Sequence, residues 1–156
     1  MKKILYTIIL ILGCTQLYAC NADKEEHTPK EENNTPKQDT MKLKITIGNK
    51  TATAVLYDSP TGRDFATLLP LTVKMDDYSN TEKIFYPSRK LSTKDAPAGF
   101  DPSVGDITLY APWGNIALFY KDFGYSNGLI SVGKITSGIE HFTVSGSVTV
   151  TFELEK

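Results

Sequence analysis

Gly105-Asp106-Ile107-Thr108-Leu109-Tyr110-Ala111-Pro112-Trp113-Gly114-Asn115-Ile116-Ala117-Leu118-Phe119-Tyr120 reads as two β-strands folded on a tight turn. Pro112-Trp113-Gly114-Asn115 carries the turn chemistry, with strands at Asp106–Ala111 and Ile116–Lys121 on either side. Downstream, Gly124–Gly128, ending in Asn127-Gly128, is a second turn that opens into a strand at Leu129–Ile135. The chain then closes on its clearest strand, where Val148, Val150, Phe152 and Leu154 alternate with Ser147, Thr149, Thr151 and Glu153.

Upstream the same period of two recurs. Leu43, Ile45 and Ile47 alternate with Lys42, Lys44 and Thr46, and Gly48-Asn49 turns this strand into Thr51–Tyr57 as a hairpin. One helix follows, with Ser59 as its cap, Pro60 at its first position and Pro70 as its stop. Phe65, Leu68 and Leu69 fall at helical spacing and form its packing face. Alternation resumes in Leu71, Val73 and Met75 and again around Ile84–Tyr86, while 88–104, with Pro97, Gly99 and Pro102, reads as a long ordered loop.

Eight strands with one or two short helices give a mainly β fold. Eight are enough to close a barrel filled by side chains, which leaves no sheet edge exposed. No cysteine lies in 21–156, so such a barrel must hold without a disulfide.

The rest of the chain is an address. Residues 1–19 carry Lys2 and Lys3, no acid, and the apolar run Ile4 to Leu12, which is too short to span a bilayer and reads as a secretory signal. Leu17-Tyr18-Ala19-Cys20 resembles a bacterial lipobox, which implies lipidation of Cys20; Ile11-Leu12-Gly13-Cys14 is a second candidate. Asn21 to Thr40 holds six acids, three lysines and one apolar side chain, Ala22, and repeats Thr-Pro-Lys at 28–30 and 35–37. Such a composition cannot bury a core and reads as a disordered acidic tether. Asp23-Lys24-Glu25-Glu26 looks like the acidic export tag of some surface lipoproteins. The expected organisation is a signal over 1–19, a tether over 20–40 and the barrel over 41–156. The expected location is a bacterial membrane facing out of the cytoplasm, at the outer membrane or cell surface.

Two stretches resemble a known family. Gly105–Tyr120 is similar to the cyclophilin segment of glycine, apolar strand, glycine turn and paired aromatics. Asn127-Gly128-Leu129-Ile130-Ser131-Val132-Gly133-Lys134-Ile135 is similar to the segment in which Asp-Gly, an apolar strand and Phe-Gly-Lys-Val follow one another. Over 42–154 the chain resembles the bacterial cyclophilin-like domain family more closely than the true cyclophilins. Cyclophilins isomerise prolyl bonds by favouring the twisted amide with an arginine, against a barrier of about 18–20 kcal/mol. The region matching that arginine reads Ile84-Phe85-Tyr86-Pro87-Ser88-Arg89, with Arg89 displaced by two or three positions and the glutamine–glycine motif missing. Pro112 and Leu118 replace two polar residues of the family set, and Tyr120 stands for the pocket phenylalanine. The resemblance therefore implies a retained scaffold without the polar catalytic set.

Other chemistry is sparse. With 17 basic and 18 acidic residues, and 12 of each within 41–156, there is no basic surplus for nucleic acid. His141 is the domain's single histidine, no nucleophile elbow accompanies it, and Glu140-His141 is too few ligands for a metal. No cofactor is expected. Asp76-Asp77 would face opposite sides of a strand and read as turn residues before Tyr78-Ser79-Asn80. The aromatics carry more. Phe65, Phe119 and Phe152 fit buried faces, whereas Tyr86, Arg89, Trp113, Tyr120 and Tyr125 are the candidates for an aromatic groove. The reading is a lipid-anchored, non-catalytic domain that binds a peptide or small ligand; the alternative is a weak or altered prolyl isomerase using Arg89.

Overall fold

The computed structural model describes residues 40–155. The signal, the tether up to Asp39 and both cysteines lie outside the described residues, while Thr40, expected at the end of the tether, begins the first strand. Ten strands run in chain order: β1 Thr40–Ile47, β2 Lys50–Tyr57, β3 Leu71–Tyr78, β4 Glu82–Phe85, β5 Gly99–Phe100, β6 Asp106–Tyr110, β7 Asn115–Phe119, β8 Ser126–Asn127, β9 Leu129–Ser137 and β10 Val148–Leu154. Helix α1 spans Pro60–Ala66, and a 3₁₀ helix spans Ile139–Phe142. Eight strands close an antiparallel barrel in the order β1-β10-β3-β4-β7-β6-β9-β2, and β5 pairs with β8 as a separate ribbon. The first and last strands close it, with Ile45 opposite Phe152 and both fully buried.

Local chemistry explains the helix. Ser59 is extended and its Oγ accepts the Gly62 N–H at 3.0 Å, while Pro60 follows at the first helical position. The helix stops at Ala66, so Leu68 and Leu69 pack against the core from the turn after it. Phe65 enters one end of the barrel and meets Phe85 and Phe152 at centroid distances of 6.4 and 6.0 Å.

A charged cluster fills the opposite end. β3 continues through Asp76 and Asp77 to Tyr78, and the turn falls at Ser79 and Asn80, both with positive φ. The pair expected in the turn is therefore within the strand. Asp76 faces out to Ser147 and Asp77 faces in to the fully buried Lys83. The partner decides the boundary: an inward carboxylate with a buried ammonium extends the pairing by two residues. Lys83 donates to Asp77 Oδ2 at 2.5 Å and to the carbonyls of Val144 and Gly146 at 2.6 Å each.

β7 is buried on both faces. Ile116 and Leu118 point into the barrel, while Asn115, Ala117 and Phe119 lie under an outer layer that includes Tyr110, Phe100 and Leu129. That is why its sequence is an apolar run instead of an alternation. The outer layer comes partly from the loop read across 88–104, whose Gly99–Phe100 pairs with Ser126–Asn127. The segment read as a plain turn thus contributes a short strand.

Candidate functional site

On the outer face of β3, β4, β7 and β6 the alternation of each strand sends out a particular residue. These are Tyr78, Glu82, Phe119 and Asn115, and Tyr110. Register brings them together, since Glu82 lies opposite both Tyr78 and Phe119, and Tyr110 opposite Asn115. Trp113, on the β6–β7 turn, folds back over this surface. Its ring meets Tyr110 and Tyr78 edge to face, at centroid distances of 5.3 and 5.8 Å. Phe123 packs on Phe119 at 5.7 Å from the other side. The result is a cavity of about 380 Å³ with aromatic walls.

Trp113 is 53% exposed, and Gly114 follows it at φ +76°, a conformation that favours glycine and lets the turn present the indole. The turn reading of this segment matches the geometry. Of the five residues proposed as a groove, Trp113 lines this cavity; the other four lie elsewhere. Tyr86 is exposed at the end of β4. Tyr120 turns inward, its hydroxyl donating to Asp77, and burial together with that carboxylate pushes its phenol up to about 12. Tyr125 lies over Gly99 on the β5–β8 ribbon, where a Cβ on the glycine would sit 2.7 Å from the tyrosine hydroxyl. Arg89 grips Asp64 of α1 through both terminal nitrogens, at 2.6 and 3.0 Å, and also donates to Thr67 Oγ1 at 2.7 Å. It pins the loop after β4 to the helix.

Glu82, Asn115, Tyr78, Tyr110, Phe119 and Phe123 carry the site instead. Their placement depends on the register of β4 against β7, two strands separated by residues 86–114, which no local pattern reveals. Glu82 makes no ion pair and no side-chain hydrogen bond among the described residues, and burial against the rings raises its carboxyl to about 7. Asn115 is 2% exposed and its Oδ1 has no hydrogen-bond partner among the described residues. His141 sits in the 3₁₀ helix beside Glu140, and no group of three potential metal ligands occurs among the described residues.

The raised Glu82 carboxyl couples the stability of the fold to pH. In the unfolded chain this carboxyl ionises near 4.5, whereas the fold retains its proton until about 7. The folded state therefore binds more protons between these values, and stability falls as pH rises through them. Glu82→Gln is expected to match the native protein near pH 4. At pH 8 it should be more stable by about 1–2 kcal/mol, once solvent screening of this partly exposed group is counted. Urea denaturation at the two pH values measures the difference.

A family model described as cyclophilin-like matches residues 45–153. Among solved structures, the solution structure of the hypothetical protein AF2241 from Archaeoglobus fulgidus is similar in fold, with a TM-score of 0.59 and 19% identity. The match covers 78% of this chain and 99% of that one. No curated protein matches the sequence.

Proposed function

The chain belongs to the cyclophilin-like family, and from that premise we propose that it is a lipid-anchored, extracytoplasmic binding domain that takes a peptide or small ligand without catalysis. The observation that carries the reading is the aromatic cavity walled by Trp113. A concave, mainly apolar site with a few polar groups is what a ligand needs for both affinity and orientation. An isomerase needs a cation over the twisted amide, but Arg89 is held by Asp64 and does not line this cavity.

Trp113 is the single tryptophan of the chain, so its indole N–H gives one isolated magnetic resonance signal. Small probes, both n-butanol and n-butylammonium, are expected to move that signal saturably. Trp113→Ala, followed through the backbone amide signals of Glu82 and Asn115, should weaken binding at least tenfold, and Arg89→Ala should leave it unchanged. Perturbations centred on Arg89 or Tyr125 would place the site elsewhere. A proline tetrapeptide should isomerise at its uncatalysed rate, and robust turnover lost in Arg89→Ala would overturn the non-catalytic reading.

The anchor rests on Cys20 of the lipobox-like segment. Cys20→Ser is expected to release the protein from membranes, and full retention would point to Cys14 or to an unlipidated signal.

A further inference from the structure

Binding alone does not explain why a carboxylate faces aromatic rings with no partner. β4 alternates across the barrel wall, so Lys83 goes in and Glu82 goes out. Lys83 donates to three oxygens inside the barrel and cannot also serve its neighbour. The surrounding cations are placed elsewhere. Lys134 holds Asp106 at 2.9 Å, Arg89 holds Asp64, Lys74 approaches Asp76 at 3.7 Å, and the Lys121 ammonium lies 5.9 Å from the Tyr120 ring. Facing the cavity from the adjoining strands, the other titratable groups are Tyr78 on β3 and Tyr110 on β6, with Tyr120 beyond the end of β7 sensing the Glu82 charge. Glu82 is the one charged side chain of the lining.

Two physical effects then act on the same guest. The faces of aromatic rings carry negative quadrupoles that attract cations. A carboxylate in a poorly hydrated setting adds charge and strong acceptors, and an N–H donor on the cation turns that attraction into a directed bond. Asn115 also lines the cavity, and its Oδ1 has no hydrogen-bond partner among the described residues. A quaternary ammonium would leave the Glu82 carboxylate without a donor. We propose that the cavity binds an organic cation bearing N–H donors, a primary ammonium or guanidinium on an alkyl stem, with Glu82 as counter-ion and the Trp113, Tyr78 and Tyr110 rings as walls. The inference deepens the binding reading above and rests on it.

The test uses the full chain at pH 8.5, where Glu82 is ionised, with Trp113 emission as the readout. n-Butylammonium and n-butylguanidinium are expected to bind at least tenfold more tightly than n-butanol, their neutral match, and more tightly than tetramethylammonium. Glu82→Gln should lower the affinity of both N–H cations at least tenfold and remove most of their advantage over n-butanol. In the native protein, cation affinity should fall as pH drops through about 7, the value at which Glu82 takes up its proton. Equal binding of n-butanol and n-butylammonium, or a Glu82→Gln variant with native cation affinity, would overturn the cation assignment while keeping the binding reading. Preference for tetramethylammonium would overturn the role of the N–H donors. No response to any probe, charged or neutral, would overturn both. The peptide Gly-Lys-Gly with blocked termini separates the sources of such a cation: tighter binding than n-butylammonium assigns a basic side chain, weaker binding a free amine.

Discussion

Lys83→Met is expected to lower the unfolding free energy by about 3–5 kcal/mol, the usual cost of removing one partner from a buried ion pair. The ammonium is fully buried and satisfies three acceptors at once. Methionine keeps the length and apolar stem but strips Asp77 and the carbonyls of Val144 and Gly146 of their donor. Asp77 adds a pH signature. Desolvation pushes its carboxyl up, but the hydrogen bonds from Lys83 and Tyr120, with the lysine charge, outweigh it and hold the carboxyl below its ordinary 3.8. A depressed carboxyl contributes stability above its unfolded value and loses it as pH falls through the folded one. The gap between native protein and Lys83→Met should therefore be full at pH 6 and narrow below pH 3.8. Urea denaturation across that range measures it, and a pH-independent gap would mean that packing, not charge, makes the contribution. Adding Asp77→Asn to Lys83→Met should recover the part caused by the stranded carboxylate.

The same lysine shows where sequence reading ends. β1, β2 and β10 were legible because one buried face and one wet face produce a two-residue period within each strand. The α1 cap was legible because Ser59 and Gly62 meet within one turn. Lys83 leaves no such local signal, since only tertiary structure brings the Val144 and Gly146 carbonyls to its ammonium. Tyr120 shows the same limit. The resemblance makes it the counterpart of a pocket phenylalanine, yet its hydroxyl is turned inward by Asp77 from a strand far away in sequence.

The candidate site was legible only at Trp113, where turn chemistry is local and an indole on a turn has no automatic burial. Glu82 is invisible in isolation: an acid beside a lysine at the start of a short strand looks like a solvated pair. Its position comes from Lys83, whose anchorage inside the barrel fixes the phase of β4 and leaves Glu82 no choice but the outer face. Arg89 was misplaced because proximity in sequence to the end of β4 says nothing about the direction its side chain takes. An Asp64 carboxylate on the neighbouring helix determines that direction.

Gly133→Ala is the second large effect, and it explains part of the Gly133-Lys134-Ile135 motif in physical terms. Gly133 lies opposite Leu56 of β2 and Ile107 of β6. A Cβ there would stand 2.3 Å from the Val55 carbonyl oxygen and about as close to Leu56 as a contact can be, at 3.1 Å from Cδ2. The Val55 carbonyl belongs to the barrel wall and cannot move without opening the β2–β9 pairing. The register of β6 against β9 slips beside this point, between Ile107 and Thr108, and the inward phase changes with it. Ile130 and Val132 face the core before the slip, and Ile135 faces it afterwards while Lys134 points out to Asp106. Glycine thus permits the close backbone approach that the bulged, strongly coiled strand requires to close the barrel. Alanine is expected to cost about 3 kcal/mol, the upper part of the range for overpacking, because the clash is with backbone instead of a flexible side chain. The measurement is the urea midpoint of Gly133→Ala against Gly114→Ala, where no atom lies within 4 Å of the added Cβ and φ is +76°. Steric exclusion predicts the larger loss at 133; a larger loss at 114 would mean that backbone conformation outweighs the clash. Because β9 also carries Leu129 to the cavity floor, a Gly133→Ala chain that still folds should bind n-butylammonium more weakly, although position 133 does not line the cavity.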